Sequence, residues 1–203
     1  MTETLSQRYL DGLAHCYERH GASAMWETFI DTVHGADPDD LLALKERFHY
    51  VPTSLLALLS IVDGTYWRDY GDETVKRLLL GSQGTLAYYL FSTDQMLEDA
   101  DAQKLVLNVL DDLEEHPDAV QVDERLLLAP SSQWLHLADS SDHGSTSQLF
   151  IDFTPSPKGT VGQVVMWARR PDRLVVIAPD FDTYLSTLMA GGYEFLSDES
   201  AFE

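Results

Sequence analysis

Apolar positions follow a helical period in the first third of the chain and a strand period in the last. Leu5, Tyr9, Leu13 and Tyr17 recur at near-helical spacing, and Gly21 ends that run. Met25, Trp26, Phe29, Ile30 and Val33 make a second short helix, stopped by Gly35. Asp37-Pro38 predicts a third helix start, with Asp as cap and Pro in the first turn. That helix presents Leu41, Leu42, Lys45 and Phe48 before Pro52 breaks it. Thr53 is expected to cap a fourth helix carrying Leu55, Leu58, Leu59 and Val62, which ends at Asp63-Gly64. Thr65 to Glu73 is too polar for a strand and reads as a polar-aromatic loop. Strands follow near Val75–Leu80 and Thr85–Phe91, then a helix from Asp94 capped by Thr93. A further segment, Ala102 to Glu115, holds Leu105, Val109, Leu110 and Leu113, and Val120 to Ala129 returns to the sheet.

The densest apolar stretch is Trp134 to Ala178. Its runs are short, rich in Val, Ile, Phe and Trp, and bounded by Gly, Pro, Asp or Ser, which predicts four consecutive strands. In the first, alternation puts Trp134, His136 and Ala138 on one face and Leu135 and Leu137 on the other. Lys158-Gly159 is the expected site of positive φ in the turn that follows Thr154-Pro155-Ser156-Pro157. The connections leave no room for crossover helices, so the strands should pair antiparallel. Asp180 caps a last helix with Phe181, Tyr184, Leu185, Leu188 and Met189, closed by Gly191-Gly192. Helices first, strands later and one closing helix predict a single α+β domain, an antiparallel β-sheet flanked by helices. The expected divisions are an N-terminal helical extension over 1–36, the main domain over 37–196 and an acidic tail over 197–203.

The same stretch carries a family resemblance. Trp134 opens a strand, and an acidic loop ends at Asp142-His143-Gly144. An apolar run then holds Asp152, and a Pro/Gly turn leads into Gly162-Gln163-Val164-Val165. With Asp63-Gly64 and Leu80-Gly81 upstream, this pattern resembles the SMI1/KNR4 (SUKH) family over roughly residues 38–190. His143 departs from it, because a Gly-Gly pair is commoner there. The resemblance implies a non-enzymatic protein-binding module, since many bacterial members are immunity proteins that neutralise a toxin delivered between competing cells. A regulatory or scaffold subunit, as in fungal relatives, is the alternative it implies.

Charge narrows the partner. The 34 acidic residues stand against 13 basic ones, a formal net charge of −21. Such a surface opposes nucleic-acid binding, which needs Lys and Arg at phosphates. It equally opposes docking on an anionic membrane. It suits a basic protein, including a basic toxin domain, or simply high solubility. Cys16 is the single cysteine, so no internal disulfide can form. The N-terminus lacks a basic start and an apolar core, so no signal peptide is expected, and a cytoplasmic location is the default.

Enzymatic chemistry is thinly represented. His15, Cys16 and His20 lie close together, and Cys16 and His20 would share a helix face, but without a second ligand cluster they read as surface histidines beside a half-buried thiol. A metal-dependent hydrolase using these groups, or the Asp142-His143 loop, is the rival class. Gly81-Ser82-Gln83-Gly84 lacks the Lys of a phosphate loop, and no Gly-x-Ser-x-Gly elbow occurs. No catalytic residue, metal site or cofactor is therefore expected. The candidate partner-binding residues are Tyr66, Trp67, Asp69, Tyr70, Asp72 and Glu73, where aromatics would anchor and charges set register. Trp67 could equally plug the core. Asp111, Asp112, Glu114 and Glu115 form a second acidic patch at a helix C-terminus, where the macrodipole disfavours them.

Overall fold

A computed structural model describes residues 3–82, 86–99, 120–126, 133–140, 147–169 and 172–197. Four helices come first: α1 (Leu5–Arg19), α2 (Ser23–Thr32), α3 (Pro38–Arg47) and α4 (Thr53–Leu59). A hairpin of β1 (Arg68–Tyr70) and β2 (Glu73–Val75) follows, then β3 (Leu78–Gly81), β4 (Ala87–Leu90) and α5 (Thr93–Glu98). The later elements are β5 (Val120–Val122), β6 (Trp134–Asp139), β7 (Ser147–Asp152), β8 (Gln163–Ala168), β9 (Asp172–Ala178) and α6 (Phe181–Ala190). A 3-10 turn over Glu194–Leu196 completes the described chain. The segment 102–115, with its acidic patch, and the Asp142-His143 loop lie outside the described residues.

β3 to β9 form one seven-stranded sheet in the order β3-β4-β6-β7-β8-β9-β5. The four late strands pair antiparallel, as their short connections require. β5 departs from the all-antiparallel expectation: it runs parallel to β9 at the sheet edge, so the sheet is mixed. The long separation between β5 and β9 removes the constraint that forces sequential hairpins to alternate.

One face of the sheet carries the main core, where Leu135, Leu137, Leu149, Ile151 and Val164 meet α1, α4 and α6. Trp134, Phe150, Val165 and Trp167 form a second cluster, and register puts them on the opposite face. The expected facing of β6 holds for Trp134 and Leu135 but slips at Ala138, which joins the main core with Leu137. A bulge between His136 and Ala138 inserts an extra residue and breaks the two-residue alternation.

Local chemistry sets several boundaries one residue from expectation. Ser92, not Thr93, caps α5, in a capping box with Gln95. Thr93 instead donates through both its amide and its hydroxyl to Asp63. Pro52 occupies the cap position of α4, and Thr53 begins the helix. Asp180 caps α6 as expected, accepting from the Thr183 amide. In the turn before β8 the positive φ falls on Gly162 (+88°) and not on Gly159, whose Cα is packed against Gln163 and Pro155.

The outer strand β3 is sealed by side chains from distant elements. The Tyr9 hydroxyl on α1 donates to the Leu79 carbonyl at 2.7 Å. The Tyr184 hydroxyl on α6 donates to the Gly81 carbonyl (2.5 Å) and accepts from the Gly81 amide (3.2 Å). Tyr193 in turn donates to the Tyr9 carbonyl at 2.9 Å. The Tyr9 and Tyr184 hydroxyls satisfy β3 backbone groups that would otherwise template another strand, and Tyr193 braces the helix that carries Tyr9. Burial keeps the phenols protonated: Tyr9 and Tyr184 sit well above the ordinary phenol value, and Tyr193 is pushed to about 12.

Candidate functional site

The segment from Thr65 to Arg77 turns back on itself as a two-stranded hairpin, separate from the main sheet. Polarity argued for a loop, but a two-residue connection with Gly71 at φ +67° permits strand pairing without an apolar face. Arg68 pairs with Val75, Asp69 with Thr74 and Tyr70 with Glu73. The Thr74 hydroxyl bonds the Asp69 carboxylate at 2.6 Å, a cross-strand contact on the exposed face.

The base of the hairpin is pinned to the fold. Asp63 is 1% exposed; its second carboxylate oxygen accepts from Arg68 at 2.9 Å, and Arg68 also reaches Asp94 at 3.2 Å. The Tyr70 hydroxyl donates to the Gly64 carbonyl at 2.8 Å. Gly64 has φ +88°, and a Cβ there would stand 2.5 Å from the Ser92 amide nitrogen, so only glycine fits. Asp63-Gly64 thus acts as the anchor from which the hairpin projects. Desolvation, with the Asp63 charge nearby, raises the Tyr70 phenol, so it donates at any ordinary pH.

The six candidate residues divide by exposure. Tyr70 is buried, and Tyr66 is half-buried, its ring stacked on Phe91 at 5.1 Å. Both rings pack inward, whereas the sequence-based expectation is that they contact a partner. Trp67 is 56% exposed, at φ +50°, with the Lys76 ammonium 4.6 Å from its ring centroid. It does not plug the core. Asp69, Asp72 and Glu73 are all exposed. The hairpin therefore presents one indole and three carboxylates from a rigid base. Asp111, Asp112, Glu114 and Glu115 lie outside the described residues, so their relation to this face is not part of the site.

Sequence reasoning missed two neighbours. Lys76 holds the indole in place, and α2 runs alongside β2, leaving a groove between them of about 490 Å³. Spacing alone could not signal either, because α2 and β2 are separated in the chain by two further helices. Close to Asp63 and Asp94 the N-terminus of α3 adds more negative charge. Desolvation and then the charges of Asp94, Asp37, Asp63 and Asp39 hold the Asp40 carboxyl above its ordinary value.

The rival chemistry finds little geometry. The His20 Nδ1 lies 2.9 Å from the Cys16 carbonyl and 3.9 Å from its Sγ, and His15 Nδ1 lies 2.8 Å from the Asp11 carbonyl. These are helix back-bonds. Burial raises the Cys16 thiol, the opposite of what a nucleophile or metal ligand needs. Among the described residues no group of three or more His, Cys, Asp or Glu could hold a metal ion, and no helix is long and apolar enough to cross a membrane.

No curated protein matches the sequence. The model of the SMI1/KNR4 family (SUKH-1) matches residues 35–187.

Proposed function

The chain belongs to the SMI1/KNR4 (SUKH-1) family, a family that includes immunity proteins, and from that premise we propose that it is a non-enzymatic module that binds and neutralises a basic toxin domain. The observation that carries the reading is the hairpin, where Trp67, Asp69, Asp72 and Glu73 are all exposed on a base pinned by Asp63 and Gly64. An exposed indole is a strong interface anchor, and charges around it set register and exclude wrong partners. The net charge of −21 supports the same reading through long-range attraction of a basic protein.

The test is binding to the basic product of a neighbouring toxin gene, followed by surface plasmon resonance at rising salt. Association should slow by about tenfold or more between low and high ionic strength, as steered encounters do. The triple reversal of Asp69, Asp72 and Glu73 to Lys should slow it further and flatten the salt dependence. An acidic partner, or a rate indifferent to both salt and the reversal, would sink the proposal.

A further inference from the structure

Two of the edge strands, β3 and β2, are finished differently, and the difference marks a second binding element. In the hairpin, Tyr70 and Glu73 close a two-residue turn and so exchange both backbone bonds. Alternation then turns the N–H and C=O of Thr74 outward, away from β1. Among the described residues β2 pairs with β1 alone. Thr74 itself is exposed, and among the described residues no hydroxyl seals this edge as Tyr9 and Tyr184 seal β3.

That outward edge borders the groove against α2. Met25 and Phe29 on α2, with Val75 on β2, give it an apolar lining. Glu73 stands toward one end of the strand, and Lys76 and Arg77 lie at the other. A volume of about 490 Å³ is within the range of ligand-holding clefts and suits one extended strand, not a hairpin. α2 precedes the residues matched by the family model, so the groove joins a matched strand to an unmatched helix.

We propose that this groove takes an extended segment of the partner protein as a third strand, antiparallel to β2 and hydrogen-bonded through the outward N–H and C=O of Thr74. The inference rests on the reading of the hairpin as the partner-binding face, and adds how the partner is held. Main-chain bonds to Thr74 would give affinity, and the alternate side chains would give specificity. Given that direction, charge sets the pattern of the occupant. An antiparallel segment brings its N-terminal end to Lys76 and Arg77 and its C-terminal end to Glu73. The occupant is therefore acidic at its start, apolar in the middle and basic at its end, with the basic end beside the exposed carboxylates of Asp72 and Glu73. A second copy of this chain fits less well. Its own β2 arrives with β1 attached, and each copy carries a charge of −21.

The experiment uses a labelled, terminally blocked peptide, Glu-Val-Thr-Val-Lys, titrated into the full chain by fluorescence anisotropy. Saturable binding is expected. Thr74→Pro removes the outward N–H at an exposed edge position that tolerates proline, and should weaken binding about tenfold or more with the fold intact by circular dichroism. Thr28→Arg, which fills the groove from the α2 side and leaves every β2 residue unchanged, should weaken it as much. The reversed peptide, Lys-Val-Thr-Val-Glu, should bind about threefold more weakly, in line with cross-strand charge pairs. Binding that survives both substitutions overturns strand addition. So does a dimer in analytical ultracentrifugation that Thr74→Pro abolishes, since the occupant would then be a second copy. Either result leaves the toxin-binding proposal standing on its own charge-reversal test, while toxin association indifferent to salt and to that reversal would sink the toxin reading without touching the peptide measurement.

Discussion

The edge of β3 and the edge of β2 are built from the same backbone and treated in opposite ways. At β3, Tyr9 and Tyr184 arrive from α1 and α6 to bond the Leu79 carbonyl and both backbone groups of Gly81, and Tyr193 braces α1 behind them. At β2, the neighbouring helix leaves a groove, and Trp67 stands out in solvent with Lys76 over its ring. An unsealed strand edge is an aggregation hazard that folds normally suppress. A fold that suppresses it at one edge with two buried phenols, and leaves it beside a charged, apolar-floored groove at another, would separate stability from the recognition proposed above. The core and the β3 edge hold the molecule together; the hairpin is free to meet a partner.

The sharpest way to break that division is at the core. Trp134→Ala should destabilise by about 3–5 kcal/mol, because the indole is 3% exposed and packs on Phe150 at 5.9 Å. Urea unfolding measures it, and a loss below about 1 kcal/mol would remove Trp134 from the framework. Next comes the seal. Tyr184→Phe leaves the Gly81 amide and carbonyl unpaired in a buried site and should cost about 1–3 kcal/mol by the same assay. It should also raise self-association, read by light scattering, as the β3 edge opens. An unchanged midpoint and a monodisperse sample would mean that the seal is incidental.

Two smaller effects complete the contrast. The triple reversal of Asp69, Asp72 and Glu73 to Lys should shift stability by less than about 1 kcal/mol, since exposed hairpin charges contribute little to folding. A larger loss would make the hairpin part of the framework. Asp152 offers a pH test of the framework side. Burial raises its carboxyl above the ordinary range, against lowering hydrogen bonds from Gln163 and the Thr154 amide. A raised value means that the folded state holds the proton more tightly than the unfolded chain. Its contribution is therefore full below the unfolded value of about 4 and is lost as pH rises through the folded value. The unfolding free energy of the parent minus that of Asp152→Asn should fall over that window. A difference that is flat or rises from pH 3 upward contradicts the assignment.

Sequence made the framework legible and left the recognition side largely hidden. Periodicity located α1, α6 and the four late strands, because each buries one face and burial imposes spacing. It also singled out Trp67, Asp69, Asp72 and Glu73, all of which are exposed. It does not show that Tyr66 and Tyr70 turn inward to Phe91 and Gly64, since composition cannot tell an outward aromatic from an inward one. The hairpin was read as a loop because pairing there rests on Gly71 and backbone bonds, not on an apolar stripe. The parallel β5, the tyrosine seal and the groove beside α2 all join residues far apart in the chain, and no local pattern encodes them.

Native-state hydrogen exchange tests the division between a sealed and an open edge most directly, because it needs no partner and reads single amides. The Gly81 amide, held by the Tyr184 hydroxyl, should exchange at least about a hundredfold more slowly than the Thr74 amide, which points out from β2. Equal protection at the two positions, or a slower Thr74, would contradict the account.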